Sequence, residues 1–129
     1  MGIRIIDRTA GENRTNEGRM AKSRRTKATE IKPLARAETY SRDSQSYGIP
    51  CCIIPGCGTS HNLELAHYIS RQKGGLGTPQ NLVTLCRKHH RIFDEGKAEE
   101  QNIIHRQVKE YLQHCYPDWD ESKLTYRRE

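Results

Sequence analysis

The chain has 129 residues, of which 33% are hydrophobic and 29% are charged. This length predicts one small domain with flanking arms rather than two full domains. No run of about 18 apolar residues is present, so no transmembrane helix and no membrane partner are expected. The net charge of +6 favours a polyanionic partner such as DNA.

The cellular compartment bears on how the cysteines are used. The N-terminal residues contain no apolar stretch of the length found in secretory signals. A cytoplasmic location is therefore expected, where cysteines bind metal more often than they form disulfides. The odd number of five cysteines also argues against a framework made only of disulfides.

The N-terminal part of the chain carries most of the excess positive charge. Residues 1–50 have a net charge of +5, whereas residues 51–129 have a net charge of +1. Residues 1–28 are polar, and they predict a flexible basic arm that contacts phosphates. A solvated tail without function is the alternative. Residues 29–129 then form the folded domain.

Within that domain, hydrophobic patterning predicts a helix followed by two strands. The helix is expected over residues 29–42, with Leu34, Ala37 and Tyr40 on one apolar stripe. The strands are expected over residues 62–69 and 82–85 because apolar side chains alternate or cluster there. A loop rich in glycine joins them.

Two further helices and a tail complete the domain. One helix is expected over residues 86–95 and ends at Gly96. The next spans residues 97–115 and carries an apolar stripe of Ile104, Val108, Leu112 and Cys115. The tail from residue 118 is expected to fold back onto the core. The core itself is expected over residues 51–96, with the C-terminal helix and tail over residues 97–129.

Two short pairs of ligand-type residues predict a structural zinc site. Cys52 and Cys57 form a C-x4-C pair on a tight turn, and Cys86 and His89 form a C-x2-H pair at the start of a helix. Both spacings suit tetrahedral zinc. Cys51 is the weaker candidate because its side chain points the other way on an extended chain. Buried free cysteines, or a disulfide such as Cys51–Cys57, are the alternative.

Between these pairs lie His67 at the end of a strand, Asn81 at the start of the next strand and His90 on the following helix. This order resembles the HNH endonuclease family, and in particular its small zinc-containing members from bacteriophages. The run from Cys52 to Gly96 carries the resemblance, including AHYISRQKGGLG, QNLVTLC and FDEG. It implies an α+β fold with a ββα-metal core, stapled by structural zinc and flanked by N- and C-terminal helices.

The resemblance implies a metal-dependent hydrolase that cuts DNA phosphodiester bonds and leaves 5′-phosphate and 3′-hydroxyl ends. His67 takes the place of the general base, a task for which neutral imidazole is suited. His90 takes the place of a ligand to a catalytic Mg²⁺, Mn²⁺ or other divalent ion, and Asp94 lies four residues later on the same helical face. Asn81 takes the place of the asparagine that pins the loop and orients the strand of the base.

Two features leave alternatives open. Ala66 stands where many family members have Asp or His as a metal ligand, and alanine cannot bind metal. The alternative to an enzyme is therefore a catalytically silent, zinc-stabilised module that binds nucleic acid or a packaging protein. His89 and His90 are adjacent, so their zinc and catalytic roles could be exchanged.

Basic residues surround the proposed site and are expected to contact DNA phosphates. They are Arg71, Lys73, Arg87, Lys88 and Arg91. The resemblance to phage proteins further implies a phage-encoded protein that acts in the cytoplasm of a bacterial host. It also implies a possible role in genome packaging, with a terminase or portal protein as partner.

Overall fold

The computed structural model describes residues 22–44 and 48–127, and it confirms the predicted α+β class. A two-stranded antiparallel sheet is surrounded by helices. The elements are α1 (Arg24–Thr29), α2 (Pro33–Arg42), β1 (Leu63–His67), β2 (Leu82–Cys86), α3 (Arg87–Glu95) and α4 (Ala98–Cys115). Among the described residues, no helix has the length and apolar character needed to cross a membrane.

In this sheet β1 ends near the surface, whereas β2 lies in the core. Leu63 pairs with Cys86 at one end of the sheet, and His67 pairs with Leu82 at the other. Every residue of β2 is buried because α2 and α3 both pack against it. The predicted strands and the helices α3 and α4 are confirmed, although the first strand ends at His67 rather than at residue 69.

The N-terminal region differs from its prediction. Helix α1 occupies Arg24–Thr29, so residues 24–28 belong to an ordered element and not to the predicted arm. Residues 1–21 of that arm lie outside the described residues. The helix predicted over residues 29–42 begins only at Pro33, because proline disfavours helical backbone at the residue before it. Lys32 accordingly has an extended conformation, with φ −82° and ψ 158°.

Helix α2 docks through polar groups rather than through the predicted apolar stripe. Leu34 is 72% exposed, whereas Thr39 and Asp43 are buried. The Asp43 carboxylate accepts hydrogen bonds from Arg42 Nε at 2.7 Å, from the Thr84 amide at 2.9 Å and from the Tyr111 hydroxyl. These partners satisfy the buried charge, and they tie α2 to β2 and α4.

The loop between the strands is held by the C-terminal tail. The Leu76 amide donates to the Leu124 carbonyl at 2.8 Å, and the Tyr126 amide donates to the Gly74 carbonyl at 2.8 Å. Leu124 is buried, so the prediction that the tail folds back onto the core is confirmed. Gly75 has no room for a side chain, because a Cβ atom there would lie 1.6 Å from the Ile69 carbonyl oxygen. The tail and the close approach at Gly75 together fix the chain just beyond His67.

Candidate functional site

The predicted zinc ligands come together in one cluster. Donor atoms of Cys52, Cys57, Cys86 and His89 all lie within 4.8 Å of one another. The Nδ1 atom of His89 lies 3.6 Å from the Cys52 sulfur and 3.2 Å from the Cys86 sulfur, and the sulfurs of Cys57 and Cys86 are 4.0 Å apart. Tetrahedral zinc with bonds of about 2.3 Å to sulfur would separate its ligands by about 3.8 Å. The cluster could therefore hold a metal ion such as zinc.

Local structure explains why these four side chains converge. A tight turn brings Cys57 back toward Cys52, with the Cys57 amide donating to the Ile54 carbonyl at 3.0 Å and Gly56 at φ +85°. Cys86 is the N-cap of α3, and His89 follows in the first turn of that helix. Burial raises the pKa of the Cys52 thiol to about 12, so its thiolate requires a strong counter-charge such as a metal ion.

The structure distinguishes between the alternatives that the sequence left open. The sulfur of Cys51 lies outside the cluster, 3.5 Å from the Asp43 carbonyl oxygen. All five cysteines are free thiols, so no disulfide competes with the metal cluster. His89 faces the cluster, whereas His90 lies beside two carboxylates. The two adjacent histidines thus have different surroundings.

His67 is half-buried at the end of β1, and one of its ring nitrogens forms a hydrogen bond. Its Nε2 atom lies 2.9 Å from the carbonyl oxygen of Thr29. A carbonyl can only accept, so Nε2 carries the proton, and the neutral ring has its lone pair on Nδ1. Burial lowers the pKa of His67 below the ordinary value of 6.5, and this outweighs the opposite effect of the Thr29 carbonyl. The imidazole is therefore neutral near pH 7, as a proton acceptor must be.

Asn81 joins the two ends of the loop that follows His67. Its side chain is fully buried, and Oδ1 accepts from the Ile69 amide at 2.8 Å. Its Nδ2 atom donates to the Ile69 carbonyl at 3.0 Å and to the Leu76 carbonyl at 2.8 Å. Both the oxygen and the nitrogen of the Asn81 amide thus bind backbone groups, which gives Asn81 the geometry of a positioning residue.

His90 lies on α3 between two carboxylates. Its Nδ1 atom lies 2.7 Å from Oε1 of Glu64, and its Nε2 atom lies 3.3 Å from Oδ2 of Asp94. A ring nitrogen that carries a proton donates to its carboxylate. An unprotonated Nε2 and the Asp94 carboxylate can instead bind one cation together.

His67 and Asp94 line one cavity, of about 710 Å³, bounded by the loop, α3 and α4. His90 does not line it and instead lines a smaller pocket of about 230 Å³ together with Glu64 and Asp94. Asp94 is therefore shared by the two pockets. Ala66 is 1% exposed and packs in the core, so its position contributes no ligand atom.

The predicted DNA-contacting residues are all exposed, which is a condition for binding phosphates. They are Arg71, Lys73, Arg87, Lys88 and Arg91. Arg87 also donates from Nε to Glu64 at 3.4 Å, beside His90. No role was predicted from the sequence for Glu64 or for the Thr29 carbonyl. Strand alternation could have placed Glu64 on the face of Ala66, whereas a backbone carbonyl leaves no signal in a sequence.

Comparison with known proteins identifies the family. A model described as HNH endonuclease matches residues 27–98, which is more than half of the chain. Comparison with curated proteins and with solved structures gives no significant match. The matched range contains α2, both strands, α3, all four residues of the cysteine and histidine cluster, and His67, Asn81 and His90. The chain therefore belongs to the HNH endonuclease family.

Proposed function

We propose that this protein is a metal-dependent DNA endonuclease with a structural zinc ion and a separate catalytic divalent ion. The observation that carries the proposal is the presence of His67 and Asp94 in the lining of one cavity. His67 offers a neutral imidazole, and Asp94 with His90 offers donors for a cation. Hydrolysis of a phosphodiester needs both a proton acceptor and positive charge near the leaving group.

His67 supplies the proton acceptor in this proposal. Its Nε2 atom is committed to the Thr29 carbonyl, so Nδ1 is the atom that accepts a proton from the attacking water. Asn81 fixes the backbone of Ile69, two residues beyond His67, and so limits how far the end of β1 can move. Orientation of the acceptor before the reaction lowers the entropic part of the barrier.

His90 and Asp94 are the proposed ligands of the catalytic ion. Their facing atoms are 3.3 Å apart, close to the separation of about 3 Å expected for neighbouring ligands of Mg²⁺ at bond lengths of about 2.1 Å. A divalent ion bound there would neutralise charge that develops on the leaving 3′ oxygen. Because Ala66 provides no donor, DNA oxygens and water would fill the remaining ligand positions.

Glu64 is proposed to orient His90. It accepts from Nδ1 and so keeps Nε2 directed toward Asp94. Replacement by alanine should raise the Mn²⁺ concentration needed for half-maximal cleavage by about 10–100-fold, since loss of such partners typically weakens metal binding to this degree. The Glu64→Gln variant should be affected less, because an amide oxygen can still accept from Nδ1.

A metal titration of cleavage rate tests this role. Glu95→Ala is a matched control, because it removes an exposed carboxylate from the end of α3 without a contact to His90 in the described structure. Equal half-saturating concentrations for Glu64→Ala and the wild type would exclude Glu64 from the metal centre.

The pH dependence of cleavage should reflect the lowered pKa of His67. Protonation removes the lone pair that accepts a proton, so the rate rises with pH through that pKa and then levels. Because burial places the pKa below 6.5, the acid limb of kcat at saturating metal should have its midpoint below pH 6.5. The contradicting result is a midpoint of the kcat profile above pH 6.5 that the His67→Ala variant retains. The pH dependence would then belong to a group other than His67.

The proposed reaction is tested with an end-labelled DNA duplex and zinc-loaded protein. Addition of Mg²⁺ should produce fragments with 5′-phosphate and 3′-hydroxyl ends, which ligase can rejoin without prior treatment. Stable DNA binding without cleavage in Mg²⁺, Mn²⁺ and other divalent ions would instead support the silent binding module.

A role in phage genome packaging stays a prediction from resemblance. Copurification of this chain with a terminase or portal protein encoded beside it would support that role. Lack of association between the purified proteins would exclude the packaging role and leave the nuclease proposal unchanged.

A further inference from the structure

We propose that helix α1 is part of the catalytic site and that Arg25 is a positioning residue for His67. The inference rests on the proposed role of His67 as general base. It concerns residues that composition alone places in a flexible arm. The structure gives them three separate attachments, one to His67 at the end of β1 and two to the loop that follows it.

The first attachment is the contact with His67 itself. Thr29 is the last residue of α1 and is buried. The final carbonyl groups of a helix have no partner within the helix, so the Thr29 oxygen is available to accept from His67 Nε2 at 2.9 Å. The position of α1 therefore decides which ring nitrogen of His67 carries the proton.

The second attachment is made by Arg25. One terminal nitrogen of its guanidinium, Nη2, donates to the Gln72 carbonyl at 2.6 Å and lies 3.3 Å from the Arg71 carbonyl. These carbonyls belong to a short 3-10 turn, Arg71–Lys73, that begins four residues after His67. Arg25 thus links α1 directly to the loop that follows β1, the strand that carries His67.

The third attachment is a close approach of two backbones. The Gly77 amide donates to the Ala28 carbonyl at 3.0 Å. A Cβ atom at Gly77 would lie 1.9 Å from the Glu30 carbonyl oxygen and 3.1 Å from the Ile31 amide nitrogen. Only glycine permits this approach, so the loop and the segment after α1 fit together as one unit.

This arrangement also places positive charge at a fixed distance from the site. Lys22, Arg24, Arg25 and Lys27 give the segment from residue 22 to residue 28 a net charge of +4, whereas residues 1–21 have a net charge of only +1. Three of these four basic residues, Arg24, Arg25 and Lys27, lie on α1, the element that contacts His67. A phosphate bound by Lys27 would be held in register with the base.

The test compares Arg25→Lys with Arg24→Lys in the full-length, zinc-loaded protein. Both changes keep the positive charge, and both residues are exposed on the same helix. Lysine lacks the planar fork of arginine and holds backbone carbonyls with less geometric restraint. We expect Arg25→Lys to lower kcat at saturating DNA by about tenfold or more, since small misplacements of a reacting group are costly. KM should change little, and Arg24→Lys should leave both parameters unchanged.

Nitrogen-15 NMR of the His67 ring gives a readout that does not depend on cleavage. The wild type and Arg24→Lys should show a protonated Nε2, and Arg25→Lys should show a mixture of the two neutral forms. Zinc content and circular dichroism verify that each variant is folded. An unchanged Nε2 signal in Arg25→Lys, or an unchanged kcat despite a changed signal, would overturn the positioning role. If no variant cuts DNA, the proposed function fails, and the ring spectra still decide the role of α1.

Discussion

Removal of the metal from the cysteine and histidine cluster is expected to unfold the protein. The four ligands come from two segments separated by about thirty residues, and only 33% of the chain is hydrophobic. Zinc binding to such sites contributes on the order of 10 kcal/mol, which is comparable to the entire stability of a typical domain, about 5–15 kcal/mol. Cys86→Ser should therefore abolish the folded state and not merely the activity.

Circular dichroism during chelation, together with metal analysis of the purified protein, tests this expectation. Cys115→Ser is a matched control, because Cys115 is a half-buried thiol on α4 outside the cluster. The control should bind one zinc ion and unfold at nearly the wild-type temperature. Soluble, folded wild-type protein without stoichiometric zinc would show that the cluster does not stabilise the fold.

Replacement of His67 by alanine is expected to lower the single-turnover cleavage rate by about 10²–10⁴-fold, the usual contribution of a positioned base. Zinc content, thermal stability and DNA affinity should remain close to the wild type. The side chain is only half-buried, and within residues 22–44 and 48–127 it makes one hydrogen bond, to the Thr29 carbonyl.

His61→Ala is the matched control for this variant. His61 is exposed, lies outside the cavity that His67 lines, and should be dispensable. Rates for His67→Ala within twofold of the wild type would remove His67 from the mechanism and transfer the role of the base to another group in the cavity.

Spacing made the cysteine and histidine cluster predictable from sequence. Ligand pairs of this kind are close in the chain, so a tight turn at Cys57 and a helix start at Cys86 suffice to define the geometry. The preference for Cys52 over Cys51 followed from the alternation of an extended chain, and the structure places only Cys52 in the cluster. Helix α4 was equally predictable, because its buried residues Ile104, Val108 and Leu112 recur with helical period.

The N-terminal elements were harder to predict because long-range polar contacts stabilise them. Helix α1 has only six residues and little apolar surface, so composition favours disorder, yet Arg25 and the carbonyls of Ala28 and Thr29 bind it to a distant loop. Helix α2 exposes Leu34 because the buried Asp43 determines which face packs. Contacts of this type depend on residues far away in the chain, so local patterns in the sequence do not predict them.

The most direct test of the proposed activity is the conversion of supercoiled plasmid by zinc-loaded protein with and without added Mg²⁺. Omission of Mg²⁺ is a better control than a strong chelator, which would also remove the structural zinc. Wild-type protein with Mg²⁺ should give nicked or linear DNA, whereas the DNA should stay supercoiled without Mg²⁺ or with His67→Ala. Intact supercoiled plasmid after incubation of folded, zinc-loaded wild type with each divalent ion would contradict it.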